Sequence, residues 1–595
     1  MINYVVKIYL ISLGNKMNII NYYRDKVKKI IRKEFTLEES DLKNISFEFP
    51  KDSSLGDLST NASMILSGKL KKSPQEIASK IINLIEKNPD FENVEIAGKG
   101  FINIKLKKNV WWKLILKILK EKNNYGDTDY GRNEKINIEY VSANPTGPLH
   151  VGHTRGAVFG DILSNILKKV GYNVCREYYV NDAGEQIDKL AKSVFIRYRE
   201  ACGEDIDEIP EGLYPGDYLK SVGEDLRTQF KDTLLKLEKE DWFPIVREFS
   251  IKSMLNVIRD DLDSLGINHD VFTSENKLLN DGYVQEVFNE MNNSDLLYEG
   301  ETPPPKGVKK SEWSKKKHIL FKSKNFGDDE DRVVKKHDGS WTYFMPDIAY
   351  HKDKFNRGFN KMINVWGADH SGYISRVTSA VDAVTKSKSS LEVKICQLVR
   401  LMRGKTVVKM SKRSGSFVTL RDLVEEVGSD AVRFMMVTRK NDAPLDFDYD
   451  LVKEQTRDNP IFYVQYAHAR ISSIIQKVLD EKIFLIDEKF IDNTDLSLLS
   501  NSHDIELIKI ISNFPRVIEQ SAIYREPHRV AFYLRDIASS FHSYWNLGNE
   551  DKNLKVLNTD NLEETKARLA LIMSVKITIS EGLRLLGINA LEELR

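Results

Sequence analysis

His150-Val151-Gly152-His153 and Lys409-Met410-Ser411-Lys412 have the residue types and spacing for chemistry at a phosphate. Two imidazoles can donate hydrogen bonds to a phosphate that gains charge during displacement. If the first motif opens a helix, the helix start adds free N–H groups and a positive dipole end. Gly152 presents no side chain, so a base or ribose can approach the backbone. Lys409 and Lys412 can close over a triphosphate and neutralise the leaving pyrophosphate, with Gly415 as a flexible end. Taken singly, each motif has an ordinary reading as well: two loop histidines, or a solvated basic turn.

These groups need a scaffold. Residues 135–141 alternate, with Ile136, Ile138 and Tyr140 on one side, and predict a strand. Residues 142–153 read as a loop. Residues 154–170 read as a helix with Phe159, Leu163, Ile166 and Val170 inward and Gly171 as its stop. Residues 174–180 return as a strand. This βαβ unit predicts a doubly wound parallel sheet. Residues 361–366 form a further buried strand ahead of GADHSGY (367–373), and 398–410 read as strand, turn, strand. A hairpin through Asp338-Gly339 is expected over 332–344. Residues 200–335 look inserted or peripheral, with lysines clustered from Lys306 to Lys324.

On either side the pattern changes. Amphipathic helices over 18–35 and 73–87, a polar loop at 52–60 and a strand–turn–strand at 94–106 predict a separate α+β domain. Beyond about Leu451 the spacing is almost purely helical. The fold class is therefore multidomain α/β and α. It comprises an extension at 1–16, an N-terminal α+β domain at 17–128, a Rossmann-like domain at 129–440 with insertions around 200–335, and an all-α helical bundle at 441–595.

Composition bounds the rest. A chain of 595 residues, at roughly 100–200 residues per domain, is no single small binding module. Hydrophobic residues at 41% and charged residues at 30% are globular values, which exclude disorder. A formal net charge of +1 means that a nucleic-acid partner must be held by local basic patches. Cys175, Cys202 and Cys396 match no zinc spacing and suggest a reducing, cytoplasmic setting. No run approaches the roughly 18–20 apolar residues of a membrane span, so no membrane partner is expected. Residues 1–16 are mildly apolar, but Lys7 interrupts them and no small-residue cleavage site follows. They read as an upstream start or an extension.

HVGH followed by KMSK on a βα alternation resembles the signature of class I aminoacyl-tRNA synthetases. VSANPTGPLHVGHTRGAVFGD (141–161), YVNDAGEQ (179–186), DAVRF (430–434) and NPIFYVQYAHARI (459–471) narrow the resemblance to bacterial-type arginyl-tRNA synthetases, over nearly the whole chain from Met17. It implies that 17–128 contacts tRNA, that 129–440 is the catalytic domain, and that DAVRF opens a DALR-type anticodon-binding domain over 441–595; it also implies ATP with Mg²⁺ and no zinc or protein-held metal, tRNA(Arg) and L-arginine as partners, a monomer, and activation that needs bound tRNA.

The resemblance also implies a set of site residues. His150, Gly152, His153, Lys409 and Lys412 would act on the phosphates. Pro148, Gly367, Asp369, His370, Met410 and Ser411 would join the ATP site. Glu139, Ser142, Asn144, His153, Tyr343 and Asp347 would hold arginine, the last two at its guanidinium. A guanidinium, a planar fork of five donors, suits carboxylates. Tyr343 and Asp347 share a face if their stretch is helical, although Asp347 as a helix cap and Tyr343 as core remain open. Gly367, Asp369 and His370 follow a strand's C-terminal end, where ligands sit in open α/β sheets, or form a loop with a buried histidine.

On the helix at 459–471, Tyr463, Gln465, Tyr466, His468 and Arg470 mix aromatic and basic residues beside a core stripe of Ile461, Val464 and Ile471. Tyr463, Tyr466 and Arg470 are the tRNA candidates, because unstacked bases stack on aromatics; interdomain packing explains them equally well. Lys28, Lys29, Arg32, Lys33 and the 306–324 lysines are candidates for phosphate contact or a solvated face. Three alternatives remain: a different HxGH nucleotidyltransferase, a non-catalytic RNA-binding paralogue, or a synthetase for another amino acid.

Overall fold

The computed structural model describes residues 18–50, 52–301, 316–408 and 418–594. Among them, five parallel strands form the central sheet in the order Ser390–Cys396, Lys361–Gly367, Lys135–Glu139, Asn173–Val180, Val271–Ser274. The strand order reverses beside Lys135–Glu139, and such a switch point opens a crevice at the carboxyl ends of the strands. The Val151–Lys169 helix covers the sheet and buries Val158, Ile162, Leu163 and Ile166. It comes unusually close to the first strand's end: a Cβ on Gly160 would lie 2.3 Å from Tyr140 Cγ.

One expectation is corrected here. Residues 200–335 are not wholly peripheral, because Val271–Ser274 is the edge strand of the catalytic sheet. The Lys239–Ser264 helix also buries Ile258 and Leu262 in the main core. A four-residue edge strand that is only half buried carries no alternation to read. The remainder builds two satellites. One is a helical unit around Leu190, Val194, Leu219 and Met254. The other is an antiparallel sheet of Leu297–Glu301, Lys317–Phe321 and Arg332–Lys335. The turn at Asp338-Gly339 forms, with Lys336 N donating to Ser340 O at 2.8 Å. Its return arm is only a bridge at Trp341, and the chain then enters the Phe344–Asn356 helix.

At the N-terminus, helices Ile19–Phe35 and Pro74–Ile85 pack with a four-stranded antiparallel sheet. Ser73 and Glu76 form a reciprocal capping box, with Pro74 in the first turn, so the helix start read from the sequence has its physical cause. The Lys108–Glu121 helix leans on the C-terminal helices, where Trp112 Nε1 donates to Leu499 O at 2.9 Å. The C-terminal region is built from the long helices Pro460–Asp480, His528–Glu550 and Leu562–Leu585, with shorter ones between. Leu445–Asp448, expected within the helical part, is instead a strand parallel to Val399–Arg403. No helix among the described residues is long and apolar enough to cross a membrane.

Candidate active site

The HVGH segment stands where a strand's carboxyl end meets a helix start. His150 is the N-cap: its Nδ1 accepts from Gly152 N at 3.0 Å, and its own N–H donates to His153 Nδ1 at 3.3 Å. The two rings stack with centroids 3.9 Å apart. Gly152 has a local reason beyond ligand access: a Cβ there would meet the His150 ring at 2.8 Å. The loop ahead is pinned by Asp261, whose Oδ2 accepts from Leu149 N at 2.9 Å. Pro148 lies in that loop, half buried.

Beside this start lies a cavity of about 830 Å³. Of the sequence-derived residues, Asn144, Tyr343, Asp347, Asp369 and His370 line it. Glu139, Ser142, Pro148, His150, Gly152, His153 and Gly367 belong to the surrounding framework and are not among its lining residues. Lys409, Met410, Ser411 and Lys412 lie outside the described residues, just past the strand Thr406–Val407.

Asp347 and Tyr343 both line this cavity and both meet Tyr373, at different depths. Tyr343 is the cap before the Phe344–Asn356 helix and is 68% exposed, with its hydroxyl accepting from Arg376 Nη1 at 2.8 Å. Asp347 turns inward, and its carboxylate accepts from Tyr373 OH at 2.7 Å. Burial, reinforced by the charges of Glu275 and Glu139 and opposed by the Tyr373 hydrogen bond, pushes the Asp347 carboxyl up to about 7. Glu275 is a second carboxyl in the cavity lining, raised by its own burial, with Tyr179 OH donating to it at 3.0 Å. Two carboxyls taken out of water at one wall make a receptor for a cation.

At the opposite end, Glu139 is buried and its Oε2 accepts from Lys354 Nζ at 2.7 Å. Val141 and Ser142 follow with φ of 71° and 41°. A β-branched residue pays strain in that region, and such strain persists where the surroundings over-determine it. Here Ser142 Oγ accepts from Tyr179 N at 3.0 Å and Tyr178 OH donates to Ala143 O at 2.7 Å. Asn144 Nδ2 donates to Gln186 Oε1 at 2.8 Å. Gly367 ends its strand, and a Cβ there would meet Asp369 Oδ1 at 2.6 Å. Sequence reasoning missed Glu275, Tyr373, Gln186 and Arg376. Gln186 lies in YVNDAGEQ and Tyr373 ends GADHSGY, both segments already singled out, whereas Glu275 and Arg376 carry no local signal.

Comparison with known proteins bears on the same surfaces. Residues 114–475 match the class I (R) tRNA synthetase catalytic domain, 21–106 the arginyl-tRNA synthetase N-terminal domain, and 464–594 the DALR anticodon-binding domain. An arginine–tRNA ligase of Parvibaculum lavamentivorans is 50% identical over 97% of this chain and all of its own length. One from Bartonella henselae is 48% identical with the same coverage. The chain belongs to the arginyl-tRNA synthetase family. Thermus thermophilus arginyl-tRNA synthetase has the same fold, at TM-score 0.72 and 19% identity, covering 97% of this chain and all of that one.

The DALR match begins at residue 464, beyond the DAVRF segment at 430–434. Arg433 of that segment is buried inside the molecule. It donates to Leu586 O at 2.6 Å, to Leu265 O at 2.7 Å and to Asp161 on the HVGH helix. On the Pro460–Asp480 helix, Gln465 and His468 are buried and hold the C-terminal segment: Gln465 Nε2 donates to Asn589 O and His468 Nδ1 meets Leu591 O. Tyr463 lines a cavity of about 400 Å³ with Arg457, Phe532 and Arg535. Arg470 lies 4.3 Å over the Tyr466 ring, which stacks on His542 at 5.4 Å. Of the N-terminal cations, Lys29 and Lys33 are exposed, while Arg32 is engaged by Glu39.

Proposed function

We propose that the chain charges tRNA(Arg) with L-arginine, and that the observation carrying this reading is the pair of half-buried carboxyls, Asp347 and Glu275, in the lining of one cavity. A guanidinium has donors only, so two carboxylates satisfy it where a neutral side chain leaves them unmatched and buried. Glu139 and Asn144, at the strand end, take the α-ammonium. Asp369 and His370 flank the adenosine side.

As a class I synthetase the enzyme uses ATP. An arginine carboxylate oxygen attacks the α-phosphorus of ATP, the bond to the β,γ-diphosphate breaks, and arginyl-adenylate and diphosphate form. His150, His153 and the helix N–H groups stabilise the charge gained by the phosphate; Lys409 and Lys412 neutralise the leaving diphosphate. Catalysis is positioning and electrostatics, without a covalent enzyme intermediate. The 2′-hydroxyl of the terminal adenosine then attacks the arginyl carbonyl and AMP departs. Mg²⁺ enters as the counter-ion of ATP. Aromatic and basic groups at Tyr463, Phe532, Arg457 and Arg535 suit splayed anticodon bases, with Tyr466 and Arg470 beside them. We read the enzyme as a cytoplasmic monomer; sedimentation of the purified protein tests the second word.

The test is aminoacylation of total tRNA with each of the twenty labelled amino acids, ATP and Mg²⁺. Charging by arginine alone is expected. Charging by another amino acid would keep the class and overturn the pocket assignment, and no charging by folded protein would overturn the reaction itself.

A further inference from the structure

Between the two charged ends of the arginine site runs a buried polar chain that the reaction above leaves unused. Lys354 shares a helix with Asp347, and its side chain is 0% exposed. Its Nζ donates to Glu139 Oε2 at 2.7 Å and to Asn364 Oδ1 at 3.3 Å, and lies 4.2 Å over the Tyr350 ring. Asn364 and Glu139 are register partners on adjacent strands. Asn364 Nδ2 lies 2.9 Å from His351 Nε2, and His351 Nδ1 lies 2.8 Å from the Asp347 carbonyl oxygen. The amide donates to Nε2, so Nδ1 carries the proton and donates to the carbonyl. That is one neutral tautomer, in keeping with burial holding the His351 imidazole down at about 3. A lysine with no exposed surface persists only against a fixed counter-charge, and here that charge is Glu139.

We propose that Lys354 is a positioning residue for amino-acid recognition. It holds the Glu139 carboxylate where the α-ammonium docks and, through Asn364 and His351, sets the span from Glu139 to the Asp347 end. The proposal rests on the arginine site described above.

The experiment compares wild type, Lys354→Met, Glu139→Gln and the double variant in the charging reaction. It reads KM for arginine and ATP, and Ki for two competitors. Agmatine keeps the amine and the guanidinium but lacks the carboxylate; 5-guanidinopentanoate lacks the amine. Lys354→Met is expected to raise KM for arginine and Ki for agmatine about tenfold or more. KM for ATP and Ki for 5-guanidinopentanoate should stay within about threefold. On the Glu139→Gln background the same substitution should add less than about threefold, because the group it positions is already gone. The double variant buries no unpaired charge, so it decides the matter if Lys354→Met alone does not fold: a further large loss of arginine affinity there overturns the proposal. An equal loss for arginine and both competitors would mean general packing and also overturns it, as does no change in any value. Wild type binding 5-guanidinopentanoate as tightly as arginine would remove the Glu139 assignment, and the proposal with it.

Discussion

Asp347 is a carboxyl taken out of water, and that burial governs how the site responds to pH. With its proton held up to about 7, part of the empty enzyme is neutral at this position near neutrality. A guanidinium binds the ionised form, so binding expels a proton. KM for arginine should therefore rise as pH falls below about 7, approaching roughly tenfold per pH unit, while KM for ATP stays flat. Asp347→Ala should raise KM for arginine by about 10- to 100-fold and abolish that slope; equal effects on both substrates would remove the residue from the pocket. His153 acts elsewhere. His153→Ala should lower kcat by about 10²- to 10³-fold with little change in tRNA affinity, and a pure binding defect would contradict its role.

The Val151–Lys169 helix must sit close to the strand that ends in Glu139, and Gly160 is what lets it. Gly160→Ala would drive a methyl group into the Tyr140 ring. The expected cost is about 1–3 kcal/mol, seen as a lower denaturant midpoint at unchanged slope. Because the same helix carries His150 and His153, kcat should fall while KM for tRNA holds. Most of this element was legible beforehand. Its apolar stripe and Gly171 bounded it, and the structure starts it only three residues earlier, at Val151, because His150 and His153 supply a cap that side-chain hydroxyls usually provide.

Across the molecule, separate parts are fastened by buried polar ties. Arg433 joins the HVGH helix, the turn after Lys239–Ser264 and the end of the last helix. Asn18 and Asn21 donate to Glu519, and Lys509 pairs with Asp57, so the N-terminal unit is docked on the helical bundle. Arg433→Met should destabilise the chain by up to about 3–5 kcal/mol, because the buried Asp161 carboxylate keeps only the more distant Arg176, at 3.8 Å, as counter-charge. The expected signature is loss of catalytic activity on mild heating before bulk unfolding. Unaltered thermal behaviour would show that the tie is dispensable.

Local pattern was enough for the βαβ unit, the histidines at a helix start, the Ser73 cap and the helical C-terminal region. Periodicity, caps and turn residues are properties of neighbouring residues, and they survive without the rest of the chain. The cavity is another matter. Asp347 meets Tyr373 and shares a wall with Glu275, residues brought together from three segments, and only that convergence takes the carboxyls out of water. Gln465 and His468 stood outside the core stripe of Ile461, Val464 and Ile471 because such a stripe gives the width of a helix's buried face poorly; the returning C-terminal segment buries them. Val271–Ser274 was invisible as a sheet edge because its partner strand, not its own sequence, makes it one. Side-chain type and spacing thus identified the chemistry, whereas which groups lose water, and hence which ones bind charge, depends on contacts far apart in the chain.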